Sequence, residues 1–224
     1  MSDRSDRGHR LLLETTARRW WVVVTVLIAV GIPWWLAFTL PLAERTFVGV
    51  NGPTQMLISV ITPFVGLLLA TDVRLGRAGV GPAVRVAYLF AVVASAWGAV
   101  FSVIATALTA TTAPGGAWGN AVAGGLGGLA VQVVATSTGL GLGALVHRPI
   151  VAGLATFAPL LVAAILTPLP QVAAWVTPAV VGPVLLTGAD PLAWVREVVV
   201  LLIWGGGYWV AGAGRILFPR GDAA

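Results

Sequence analysis

Residues 86–111 read VAYLFAVVASAWGAVFSVIATALTAT, an unbroken apolar run with no charged residue. A membrane-crossing helix needs about 20 consecutive apolar residues, and this run satisfies that alone. Similar runs lie on either side. Apolar segments at 20–42 (with Pro33), 54–71 (with Pro63), 118–146 (rich in Gly), 150–167 and 194–214 read as five further spans. The expected fold is therefore an all-α membrane protein with six transmembrane helices at 20–42, 54–71, 86–111, 118–146, 150–167 and 194–214. Residues 1–19 and 215–224 are read as tails.

Composition points the same way. Of the 224 residues, 58% are hydrophobic and 9% charged. A soluble chain carries about a quarter charged residues, so polar surface is too scarce to cover a water-soluble globule. The pI of about 11.3 is not a nucleic-acid signature, because the basic residues sit in short loops and tails. All 13 are arginine. Arg4, Arg7, Arg10, Arg18, Arg19, Arg74, Arg77, Arg85, Arg148, Arg215 and Arg220 fall on one side of the six-span scheme, and Arg45 and Arg196 on the other. The positive-inside rule then puts both termini in the cytoplasm. The polar start lacks a cleavage site after a short apolar core, so it reads as a tail and not as a removed signal peptide.

Two stretches are not simple spans. Residues 10–19, RLLLETTARR, read either as a helix lying at the interface or as an extension of the first span. Between the fifth and sixth spans, Pro168, Pro170, Pro178, Pro183 and Pro191 interrupt an apolar run. Proline removes a donor and restricts the residue before it, which predicts short re-entrant or outer helices there.

Several chemistries are excluded. A P-loop needs a lysine, and the chain has none. There is no cysteine, and the only histidines, His9 and His147, lie in a tail and a short loop. Serine-protease and metal chemistry lack their residues. No enzyme activity is expected. The predicted spans hold no charge except Arg196 and Glu197 at the mouth of the sixth, so a proton or sodium relay has few candidates. The fourth span carries Gln132, Thr136, Ser137 and Thr138, with Gly124–Gly128 and Gly139–Gly143 at four-residue spacing. Small-xxx-small spacing allows close helix approach, within one bundle, at a subunit interface or along a pathway. The segment 72–85, DVRLGRAGVGPAVR, reads as the longest inside loop. It is either a charged loop or a docking surface for a cytoplasmic partner.

The order of these features resembles the membrane-spanning permease subunits of type-2 (ABC-2-like) ATP-binding cassette exporters. VGLLLATDVRLGRAGVGPAVR (65–85) is similar to that family's second span and following loop, with Asp72, Arg74 and Gly76 matching, Arg77 replacing a usual threonine, and Pro82 and Arg85 matching loosely. LGALVHRPIVAGLATFAPLLV (142–162) is similar to its inner turn, AAWVTPAVV (173–181) to its outer segment, and GAGRILFPRGDAA (212–224) to its C-terminal tail. The resemblance implies two permease subunits, identical or related, in a bacterial cytoplasmic membrane. Separate ATPase subunits, which bind ATP and magnesium, would dock on Asp72, Arg74, Gly76, Arg77 and Arg85, with a second contact at His147 and Arg148. Gln132, Thr136, Ser137, Thr138, Gly124 and Gly128 would lie at the pathway or subunit interface. Few charges face any pathway, which favours a hydrophobic or amphipathic cargo: a peptide antibiotic, a drug or a lipid. The alternative is the substrate-binding membrane component of a vitamin-type importer, which would hold a solute pocket within one chain. A non-transporting membrane scaffold stays open beside both.

Overall fold

The computed structural model describes residues 16–109, 116–208 and 210. Every regular element among them is a helix. In chain order these are α1 (Thr16–Thr39), a 3₁₀ turn (Leu42–Glu44), α2 (Phe47–Arg74), α3 (Val80–Thr109) and α4 (Ala121–Leu145). Shorter elements follow: α5 (Pro149–Ala155), α6 (Ala158–Ile165), α7 (Pro170–Val176), α8 (Pro178–Thr187), α9 (Leu192–Val200) and a π-helical turn (Leu201–Gly206).

Four helices, α1 to α4, are long and apolar enough to cross a membrane. They run alternately up and down, and their outward faces carry exposed Leu27, Trp35, Leu89, Val100 and Leu126. Such faces suit lipid, where apolar surface has no hydration cost to escape. At 28 and 30 residues, α2 and α3 are about 42 and 45 Å long at 1.5 Å per residue. Both are longer than the roughly 30 Å hydrocarbon layer, which leaves length for a tilt or for a projecting α2–α3 hairpin.

The helices start and stop for local reasons. Thr46 caps α2, its hydroxyl accepting from the Gly49 amide at 3.0 Å. Arg45 donates to the carbonyls of Leu40 and Phe38 just past and within the end of α1, as a cation at a helix C-terminus does. At the far end of α2, the Gly76 amide bonds to the Val73 carbonyl and the Arg77 amide to that of Asp72. Gly76 has φ 69°. This is a Schellman stop, in which glycine takes the left-handed position without a Cβ penalty. Pro82 sits in the first turn of α3, where its missing N–H costs nothing.

These details correct two sequence expectations. The inside loop expected over 72–85 is only residues 75–79, because Gly76 ends α2 late and Pro82 belongs to α3. The helix that contains the expected second span, 54–71, likewise starts earlier, at Phe47, since Pro53 is accommodated within α2. The fifth span, expected as one helix over 150–167, is broken at Thr156–Phe157. Pro159 cannot donate back to Ala155, and the amides of Thr156 and Phe157 turn tightly onto Gly153 and Leu154. The two pieces, of 7 and 8 residues, still follow one another as a single apolar helical stretch, Ile150–Ile165, shorter than the four long helices. The proline-rich region forms two short helices, α7 and α8, bent by 83° at Thr177. Counted as one bent span, that pair would bring the candidate total to five. The sixth expected span starts as α9 and its π turn and runs past the described residues. Residues 10–15 of the expected interfacial helix also lie outside them, whereas Thr16–Arg19 is the first turn of α1.

Among the described residues the most extensive helix–helix packing is between α2 and α4. Glycines on α4 make it possible. A Cβ on Gly139 would collide with the Pro63 backbone of α2, and one on Gly128 would come within 2.8 Å of the Gln55 side chain.

Candidate functional site

Three features of the structure are built from polar or concave chemistry. The first is the basic end of the bundle, where α1 starts, α2 ends, α3 starts and α4 ends. Arg18 is 2% exposed, and its guanidinium lies 3.0 Å from the Asp72 carboxylate. Arg74 reaches across to α4 and donates to the carbonyls of Gly143 and His147, at 3.3 and 2.9 Å, and to that of Val146. Those carbonyls mark the negative end of the α4 dipole, where a guanidinium is favoured. The residues expected to dock a partner therefore divide. Asp72 and Arg74 brace α1, α2 and α4 to one another. Gly76 shapes the turn. Arg77, 69% exposed, stands outward with Arg85, His147 and Arg148. Apolar Leu75, Val80 and Ile150 are exposed on the same end.

The second feature is a buried polar ladder between α2 and α4. The Thr62 hydroxyl donates to Gln132 Oε1 at 2.7 Å. Gln132 Nε2 donates to the Gln55 carbonyl at 2.8 Å. Gln55 Nε2 donates to the Ser95 carbonyl of α3 at 2.9 Å and approaches Asn51 Oδ1 at 3.2 Å. Asn51 Nδ2 lies 3.4 Å from the Gly124 carbonyl. All four amide and hydroxyl side chains are fully buried. Their bonds point inward to one another, so the ladder fixes the register of three helices. Ser137 bonds to Tyr88 of α3 at 2.7 Å, and Thr138 turns its hydroxyl onto the Val134 carbonyl. Thr136 is buried with no hydrogen-bond partner for its hydroxyl. Gly124 packs under the Leu186 carbonyl of α8. Of the residues singled out in the fourth span, all are packed inside the chain and all but Thr136 are engaged by a hydrogen bond or a close backbone or side-chain contact.

The third feature is a cleft of about 110 Å³ between α2, α4, the α5–α6 break and the start of α8. Met56, Pro63, Val134, Phe157 and Pro178 form much of its wall. Its hydroxyls are Ser59, Thr138 and Thr156, and each donates to a carbonyl of its own helix, at 2.7, 2.9 and 2.6 Å. Their protons are committed, so they can only accept. The cleft offers no charge, and it suits an apolar guest carrying at most a donor group.

Sequence reasoning missed most of this. Asn51 and Gln55, four apart on one face of α2, are a visible signal, but Asn-Gly-Pro reads as loop and hid it. Nothing in the sequence marks the Arg18–Asp72 pair or the cleft, which join segments far apart in the chain. No group of three or more potential metal ligands occurs among the described residues. Compared with known protein families, with characterised proteins and with solved structures, the chain matches none of them.

Proposed function

We propose that this chain is the membrane-spanning permease subunit of an ATP-binding cassette exporter of the type-2-like kind, moving a hydrophobic or amphipathic substrate. It would work with a second permease subunit and a separate ATPase, in a bacterial cytoplasmic membrane with both termini inside. In this reading α5–α6 and the helix starting at α9 complete six passages, and the α7–α8 elbow lies on the outer face.

The observation that carries the proposal is the construction of the basic end. The α2–α3 hairpin is longer than the hydrocarbon layer and ends in a five-residue turn, with Arg77 and Arg85 turned outward beside His147 and Arg148. Behind that turn, Asp72 and Arg74 tie the hairpin to α1 and α4. A push on the turn by an ATPase would travel through these ties into the α2–α4 pair and the cleft beside it. The acceptor-only, uncharged cleft supports the choice of cargo.

The cleft also favours a second reading, a substrate-binding importer component, because it lies within one chain. Purification from the native membrane in mild detergent separates the two. A Walker-motif ATPase in equal stoichiometry supports the exporter. A chain that copurifies with no ATPase and with a tightly held small solute overturns it in favour of the second.

A further inference from the structure

Residues 193, 197, 200 and 204 follow one another at helical spacing along α9 and its π turn. Ala193 packs with Val131 of α4 and with Leu185 and Leu186 of α8. Val200 and Trp204 pack with Val134 of α4 and Val181 of α8. Glu197 lies between these two apolar clusters on the same face. It is 4% exposed, and neither carboxylate oxygen has a hydrogen-bond partner among the described residues. Its neighbour Arg196 is engaged elsewhere, 3.5 Å from Asp190 and over the Trp175 ring.

An ionised carboxylate is costly in such a place, so some cation must accompany it. A metal ion needs several oxygen ligands. The elements packed against α9 supply none with charge: α4, α7, α8 and the π turn contain no Asp, Glu, His, Lys or Arg. Among the described residues the titratable groups nearby are Tyr208, packed in the Trp204 cluster, and the Arg196–Asp190 pair. An organic cation needs room, and Glu197 does not line the cleft. A proton needs neither ligands nor space.

We propose that Glu197 is a proton-binding site whose occupancy is tied to the packing of α8 on α9. The carboxyl holds its proton while the pair is closed. When α8 and α9 part, water reaches the group and the proton leaves. The closed state binds the extra proton, so acid favours closure and rising pH favours parting. This inference does not depend on the exporter reading.

Infrared difference spectroscopy of the full chain in lipid nanodiscs tests it. The wild-type spectrum minus that of Glu197→Gln should show a protonated-carboxyl stretch at neutral pH that is lost as pH rises. If the Gln variant fails to accumulate, isotope-labelled glutamate assigns the band in the unaltered protein, because the chain holds only Glu14, Glu44 and Glu197. The chain has no cysteine, so a cysteine pair placed across the α8–α9 contact at disulfide spacing can tether the two helices by a single disulfide. The band should persist to higher pH in the tethered form than in the reduced one. Only carboxylate bands from Glu197 at neutral pH would overturn the proton site. Identical titration of tethered and reduced chains would overturn its link to α8–α9 parting.

Discussion

Asp72 and Arg77 lie five residues apart and look alike as charged residues near a helix end, yet their settings differ. Asp72 faces a nearly inaccessible Arg18, and removing it takes away the carboxylate 3.0 Å from that buried guanidinium. Breaking a buried pair from one side costs about 3–5 kcal/mol. Asp72→Ala should therefore lower the unfolding midpoint of the purified chain sharply. Arg77 is exposed, and its 4.0 Å approach to Asp72 is a surface contact of the kind worth about 0–1 kcal/mol. Arg77→Glu should leave the melting curve nearly unchanged while reducing ATPase stimulation in an assembled complex. Equal losses of stability in both variants would erase the division between bracing and docking residues.

Among the elements, α4 is the one that depends most on what its side chains lack. Gly139 meets the Pro63 backbone, which cannot give way as a side-chain tip can. Gly139→Leu should force α2 and α4 apart and prevent accumulation of folded protein. Gly31 in α1 has open space where a Cβ would point, and Gly31→Ala should raise stability by up to about 1 kcal/mol through helix propensity. Thermal unfolding in detergent micelles reads both, and a tolerated Gly139→Leu would show that the interface is looser than drawn. The glycine spacing in α4 is legible in the sequence alone. Which neighbour each glycine faces is not, because Gly124 turns to α8 and Gly128 to α2 while sharing one motif. The apolar runs of α1 to α4 were legible for the same reason that they span: uninterrupted hydrocarbon leaves little else to be. The α5–α6 break was not, since one internal proline is absorbed in α1 and two in α2, whereas Pro159 coincides with the turn at Thr156–Phe157.

For the molecule as a whole, the arrangement sets the basic end opposite the end where Phe47 stacks on Trp118 and its amide bonds to Ala117. Single-cysteine variants can read this directly. Gly76→Cys and Ala117→Cys should react with a membrane-impermeant maleimide from opposite sides of sealed vesicles. Labelling of both from one side would refute the four-helix crossing.

The ties between α2 and α4 also impose an order on biosynthesis. Arg74 and its acceptor at Val146 are 72 residues apart, and Gln132 and Gln55 are 77 apart. At roughly 5–20 residues per second, a ribosome takes on the order of several seconds to bridge that gap. During that interval α2 has emerged with Asn51, Gln55 and Thr62 lacking their α4 partners. The first three helices thus have no finished form of their own, and docking of the bundle waits for the fourth to leave the translation machinery.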